Sequence, residues 1–270
     1  MSHSHFLERA QGVRIAYSVT GQAGAPALLL SNSLATDASM WQRMLPELAQ
    51  HYQVVSYDTR GHGQSTCPVG SPSLEDLGHD ALAVLDALGI SKAFMAGVSL
   101  GGMTGLTLAL RQPERLLGLI ACNCRGRIDA AGIAGWDQRV EVVQREGMSA
   151  LVGPTLERWF AADYRAQAPE MMATMSSIIQ TTSPAGYISC VNAIKGLDLH
   201  HALHQVSLPV LFIGGAQDGG APPAEMNAMA AEVAGSRCEI LDPCGHISPM
   251  QRPQDMLRLF FAFLKQHSEE

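Results

Sequence analysis

The sequence lacks what would commit it to a nucleic acid, a membrane or an oxidising compartment. Its 270 residues hold no basic cluster and no block of like charges, and acidic residues outnumber basic ones for a net charge of −7. That balance argues against nucleic acid and anionic membranes as partners. The opening Met1-Ser-His-Ser-His-Phe6 has no basic segment leading into an apolar core, so no signal peptide is expected. The uncharged stretch Ala93 to Leu110 is broken by four glycines and reads as strand plus helix, not a membrane span. Six cysteines (67, 122, 124, 190, 238 and 244) are scattered without a disulfide or zinc spacing. Cys122 and Cys124 flank Asn123, but no second close pair accompanies them, so no metal is expected there. Reduced thiols in a cytoplasm are the expected state. Repeats and low-complexity tracts are absent too.

What is present is ordinary for a soluble globular protein: 47% hydrophobic and 16% charged residues. The length suits one large α/β domain, or one with an insertion. The most informative stretch runs from Lys92 to Gly105. Ala93 to Ala96 is an apolar run with the look of a buried strand, and Met103 to Leu110 is a helix of small residues. Between them Gly97-Val-Ser99-Leu-Gly101 makes G-x-S-x-G. In a strand–turn–helix context this motif is a nucleophile turn. Side chains two before and two after the serine would collide, and glycine removes them. The helix start also offers N–H groups to an anion.

Along the chain, strands are expected at Val13–Val19, Ala27–Ser31, Gln53–Tyr57 and Leu116–Cys122. Helices are expected at Trp41–Gln50 and from a Ser73 cap to Gly89. Strands alternating with helices imply an α/β fold with a mostly parallel sheet covered on both faces. Functional residues then belong at the carboxyl ends of strands. From Asn123 to about Val206 the strand rhythm stops and helical spacing takes over, as expected of an inserted helical cap. The strand pattern returns at Val210–Ile213 and Cys238–Leu241, and a final helix starts at Pro253. The expected division is thus core 1–122, cap 123–206 and core 207–270.

A serine hydroxyl needs a base, and a histidine base needs a carboxylate to hold it. With a nucleophile turn the expected order is Ser, Asp or Glu, then His. Asp218 follows the Val210–Ile213 strand, and His246 lies in a glycine turn after the last strand. Asp198 and Asp242 compete for the acid, but strand-end placement favours Asp218. His62, in the Gly-rich loop after Tyr57, reads as structural. His200, His201 and His204 read as a solvated helix end, with no carboxylate-bearing metal motif beside them. Oxyanion donors are expected from the backbone N–H of Leu100 and, from the loop after the early strand, of Leu34.

Asn32-Ser-Leu-Ala-Thr-Asp37, Tyr57-Asp-Thr-Arg-Gly-His-Gly63-Gln-Ser65, the serine turn, Arg127-Ile128 with Gly135-Trp136, and Glu157-Arg-Trp-Phe160 together resemble the 3-oxoadipate enol-lactonases. These are α/β-hydrolases of aromatic-compound breakdown, and the likeness runs over nearly the whole chain. Leu100 stands where such enzymes usually have methionine, and Asn123-Cys-Arg-Gly-Arg127 replaces a small-residue run where the cap opens. The resemblance implies a cytoplasmic serine hydrolase that opens an enol-lactone without metal or cofactor. It also implies a small-molecule substrate with a free carboxylate, which wants a cation. Arg125, Arg127, Arg139, Arg158 and Lys195 are the cap candidates, with Arg127 ranked first by its match to the family's arginine. Trp136 and Trp159 are expected pocket walls. A carboxylesterase, a carbon–carbon bond hydrolase or a cofactor-free perhydrolase would use the same three residues. A ligand-binding protein without turnover is the alternative of another class.

Overall fold

Short apolar runs bounded by turn residues become the strands of one sheet in the computed structural model, which describes residues 5–66 and 70–268. Met1–Ser4 and Cys67 lie outside the described residues. The strands are β1 (His5–Glu8), β2 (Arg14–Thr20), β3 (Ala27–Ser31), β4 (Gln53–Tyr57), β5 (Ala93–Val98), β6 (Leu116–Cys122), β7 (Val210–Gly215) and β8 (Arg237–Leu241). Their spatial order is β1-β2-β4-β3-β5-β6-β7-β8. Only the β1–β2 and β2–β4 pairs are antiparallel. The central strands β3 and β5 are buried along their whole length, as strands covered on both faces must be. The four-residue edge strand β1 was not expected; it is too short to carry a pattern of its own.

The helices flanking the sheet follow their local signals. The stretch from Trp41 to Gln50, expected as one helix, splits into a 3-10 turn, Ala38–Trp41, and a short α1, Leu45–Leu48. Pro46 lacks the N–H that a continuous ladder needs. Helix α2 (Leu74–Ala87) opens on a capping box: Asp76 N–H donates to Ser73 Oγ, and Ser73 N–H donates to the Asp76 carboxylate. Helix α3 (Leu100–Arg111) is buried over ten consecutive residues, Leu100 to Ala109. That explains its small-residue composition: no face of it meets water.

Between β6 and β7 the chain is helical: α4 (Ala130–Glu146), α5 (Val152–Trp159), α6 (Ala162–Gln167), α7 (Pro169–Thr181) and α8 (Pro184–Lys195). Asp129 caps α4 by accepting from Gly132 N–H, and Ser183 caps α8 by accepting from Gly186 N–H. The two ends of this insertion are tied together. Ile128 N–H donates to Leu197 O and Leu199 N–H to Gly126 O, around a bridge between Arg127 and Asp198. After β7 come α9 (Pro223–Glu232), α10 (Ser248–Gln251) and the amphipathic α11 (Pro253–His267). Among the described residues no helix is long and apolar enough to cross a membrane.

The register sets the carboxyl ends of the central strands side by side. Ser99 N–H donates to Cys122 O at 2.9 Å, just beyond the β5–β6 ladder, and Asn123 N–H donates to Ile213 O at 2.8 Å. Ser99, Asn123 and the loop holding Asp218 thereby share one edge of the sheet.

Candidate active site

Ser99 sits between β5 and α3 with φ 53° and ψ −110°, a conformation that L-residues rarely adopt. The two glycines around it have distinct reasons. A Cβ on Gly97 would strike the backbone of Gly101 and Gly102; one on Gly101 would strike the Ser31 carbonyl in the neighbouring strand. The turn is therefore packed against itself and against β3, and only glycine fits at either place. Ser99 is 9% exposed, with that exposure on a cavity.

Asp218 and His246 come from the loops after β7 and β8. Asp218 Oδ2 lies 2.8 Å from His246 Nδ1, and both residues are buried. The other carboxylate oxygen, Oδ1, accepts from the N–H groups of Gly220 at 2.7 Å and Ala221 at 3.0 Å. Burial alone would push this carboxyl up. The His246 charge, the hydrogen bond from His246 and those from Ala221 and Asn123 outweigh it and hold the group below its ordinary value. The carboxylate is therefore ionised and acceptor-only, so Nδ1 of His246 donates to it. That leaves Nε2 as the acceptor when the ring is neutral. His246 lines the same cavity as Ser99.

The loop after β3 is shaped by Asn32. Its Oδ1 accepts from Thr59 N–H and Oγ1, and its Nδ2 donates to Ser33 O and Thr36 O. Asp58 holds the next turn by accepting from Ala38 N–H. Ala35 takes φ 58° within this turn. Leu34, like Ser33 and Ala35, lines the cavity, and Leu100 is the first residue of α3. Among the described residues no acceptor takes the N–H of Leu34 or Leu100.

The cavity measures about 360 Å³ and lies between the sheet edge and the helical insertion. Trp136 and Trp159 both line it, as expected. Arg127 does not: it is exposed, with its backbone paired to Asp198 at the neck of the insertion. The ranking of Arg127 first is corrected, because that strand-like neck turns the side chain to solvent. Lys195 pairs with Asp137 at 2.6 Å and is also absent from the lining. The cations that do line the cavity are Arg125, Arg139 and Arg158. Arg125 Nε donates to Gly220 O at 2.5 Å. Arg139 lies over the Trp136 ring, 4.4 Å from its centroid. Among the described residues Arg139 and Arg158 form no ion pair and no hydrogen bond. Burial, reinforced by the charge of Arg139, pushes the Arg158 guanidinium down to about 10. Tyr187 faces both arginines; burial raises its phenol to about 12, so it stays neutral.

The sequence pattern of the family described as alpha/beta hydrolase fold matches residues 26–253. The chain belongs to the α/β-hydrolase family. It is 37% identical to 3-oxoadipate enol-lactonase 2 of Acinetobacter baylyi over 97% of both chains, and 33% identical to enol-lactonase 1 of the same organism over the same share. Among solved structures, the enol-lactonase from Burkholderia xenovorans LB400 superposes with a TM-score of 0.93 at 36% identity, covering 97% of this chain and all of that one. A malate-bound thermophilic esterase from Thermogutta terrifontis gives a TM-score of 0.91 at 26% identity, covering 98% of this chain and all of that one.

In this α/β-hydrolase several neighbours of the candidate triad escaped sequence reasoning. Asn123 donates from Nδ2 to Asp218 Oδ2 at 3.0 Å, although the sequence marked it only as the residue between two cysteines and the start of the cap. A left-handed residue at a strand end is the one local sign of it, and asparagine tolerates that conformation. Cys122, Cys124 and Cys244 are packing thiols, raised by burial and kept protonated. His62 is buried beside the Arg60 carbonyl and does not line the cavity, in keeping with a structural part. His200 lies 3.5 Å from Glu225, while His201 and His204 are exposed.

Proposed function

We propose that this α/β-hydrolase opens the ring of 3-oxoadipate enol-lactone by serine catalysis in the cytoplasm. The observation that carries the reading is the 2.8 Å Asp218–His246 contact, with His246 lining the cavity that Ser99 also lines. Ser99 attacks the lactone carbonyl as His246 takes its proton through Nε2, while Asp218 holds the ring from Nδ1. Negative charge on the carbonyl oxygen is taken by the Leu34 and Leu100 N–H groups, each such donor being worth about 2.7–4 kcal/mol in the transition state. His246 returns the proton as the ring oxygen leaves, giving an enol that becomes a ketone. Water activated by His246 then frees the acid.

Residues 123–206 act as the cap that recognises the rest of the substrate. The lactone's carboxylate meets Arg139 and Arg158, which form no ion pair among the described residues and sit against Trp136 and Tyr187. Two half-buried cations side by side with no ion-pair partner are costly, and a carboxylate ligand offsets that cost. The residues at hand supply nucleophile, base and oxyanion donors, so the reaction as written needs no metal or cofactor.

A fluorophosphonate probe tests the nucleophile. It should label the folded wild type at Ser99 and leave Ser99→Ala unlabelled, with turnover down at least about a thousandfold. Near-normal hydrolysis by Ser99→Ala would overturn the mechanism. An unlabelled, inert wild type would favour a binding protein instead.

A further inference from the structure

Asn123 makes one amide serve three separate elements at the sheet edge. It follows β6, with its backbone at φ 48°. Nδ2 donates to Asp218 Oδ2 at 3.0 Å and to Gly245 O at 3.1 Å, and Oδ1 accepts from Ser248 Oγ at 2.7 Å. The residue is fully buried. Asp218 belongs to the β7 loop, Gly245 is the residue before His246, and Ser248 opens α10.

The chemistry of the pocket admits only one amide orientation. Both acceptors on the Nδ2 side, a carboxylate and a carbonyl, have no proton to give. Turning the amide over would set Oδ1 against both of them. Ser248 Oγ fixes the opposite end as donor to Oδ1. The two protons of Nδ2 are thus fully used, and a buried network with every member satisfied is rigid. Asp218 Oδ2 receives His246 Nδ1 and Asn123 Nδ2 together, so the amide fixes where that oxygen stands. Its second bond fixes the peptide that carries His246.

We infer that Asn123 is a positioning residue that sets the Asp218–His246 pair in register, by tying the acid's oxygen to the backbone next to the base. The inference rests on the triad reading above. Asn123 touches no reacting atom in it and does its work through the other two residues. The charged and titratable groups that also face this pair are Arg158 from the insertion, and Cys124 and Cys244 beside Asp218. None of them supplies a second donor to Oδ2 among the described residues.

Asn123→Gly is the informative variant. Glycine adopts a positive φ without cost, so the backbone is spared and the amide alone is lost. Asn123→Asp keeps the shape but sets acceptors against acceptors. For both, kcat on a p-nitrophenyl ester should fall roughly tenfold to a hundredfold, as for a sub-ångström misplacement of catalytic groups, with KM within about twofold. The low-field proton resonance of a His246 Nδ1–H held by a carboxylate should move or broaden in both. Ser248→Ala, which frees only the far end of the amide, should show the same effects in smaller degree. Unchanged kcat and an unmoved resonance in folded Asn123→Gly would overturn the inference, as would an equal loss with the resonance unmoved. If Asn123→Gly does not fold, an inert substitution at Ser248 would overturn it. Labelling and turnover of wild type against Ser99→Ala report separately on the triad, so the two failures are distinguishable.

Discussion

Trp159 and His246 are joined twice. The His246 N–H donates to the Trp159 carbonyl at 2.8 Å, and the two rings lie nearly parallel with centroids 6.2 Å apart. Trp159 ends α5, so the insertion reaches down and holds both the backbone and the ring of the candidate base. The main-chain bond survives any substitution; the ring does not. Trp159→Ala should therefore cost about 3 kcal/mol of stability, as expected for a buried aromatic, and lower turnover. Urea unfolding beside kcat measures both. Full stability with full activity would show that the ring is dispensable.

Arg158 holds its charge at a cost to stability. Its charge is disfavoured by burial and by Arg139, only partly offset by Tyr187 and Asp218, and it forms no ion pair among the described residues. Arg158→Met should stabilise the empty protein by roughly 1 kcal/mol after allowing for solvent screening. The same variant should lose about tenfold to a hundredfold in kcat/KM on a carboxylate-bearing lactone, the worth of one charged hydrogen bond, and far less on a neutral ester. Equal losses on both substrates would place the carboxylate elsewhere.

Strain at Ser99 has a thermodynamic signature. Its φ of 53° is relieved by glycine but not by alanine. Ser99→Gly should be more stable than Ser99→Ala by about 1 kcal/mol, the usual cost of such a conformation. Thermal unfolding of the two inactive variants, identical in lacking a hydroxyl, makes the comparison direct.

Asp218 makes stability fall in acid. Its carboxyl lies below the ordinary 3.8 when folded, so the unfolded chain takes up its proton first. The contribution is complete above the unfolded value and is lost as pH falls through the lower folded value, from about pH 4 downwards. Asp218→Asn should flatten that part of the stability curve. A variant curve parallel to the wild type below pH 4 would contradict the assignment.

How much of this was legible depended on range along the chain. The Ser99 turn is a local steric problem, and Gly97 and Gly101 announce it within five residues. Asp218 and His246 could be nominated because strand ends are recognisable one at a time, and the structure sets them 2.8 Å apart. The three-way bond of Asn123 joins residues 95 to 125 positions apart, so no local pattern could carry it. Arg127 was preferred by motif position, yet the neck of the insertion turns it outward while α4 and α5 carry Arg139 and Arg158 inward. The i, i+3 spacing of Trp136 and Arg139 was the available clue to their stacking. Edge strand β1 and the short helices α6 and α10 are too brief to show a period.

The most direct measurement is turnover of 3-oxoadipate enol-lactone by the wild type, followed by loss of its ultraviolet absorbance, beside a short p-nitrophenyl ester. The proposed function requires lactone kcat/KM within about 10⁴–10⁸ M⁻¹s⁻¹, the range of ordinary enzymes, and well above that for the ester. Ester cleavage without lactone turnover would leave the serine chemistry standing and contradict the substrate.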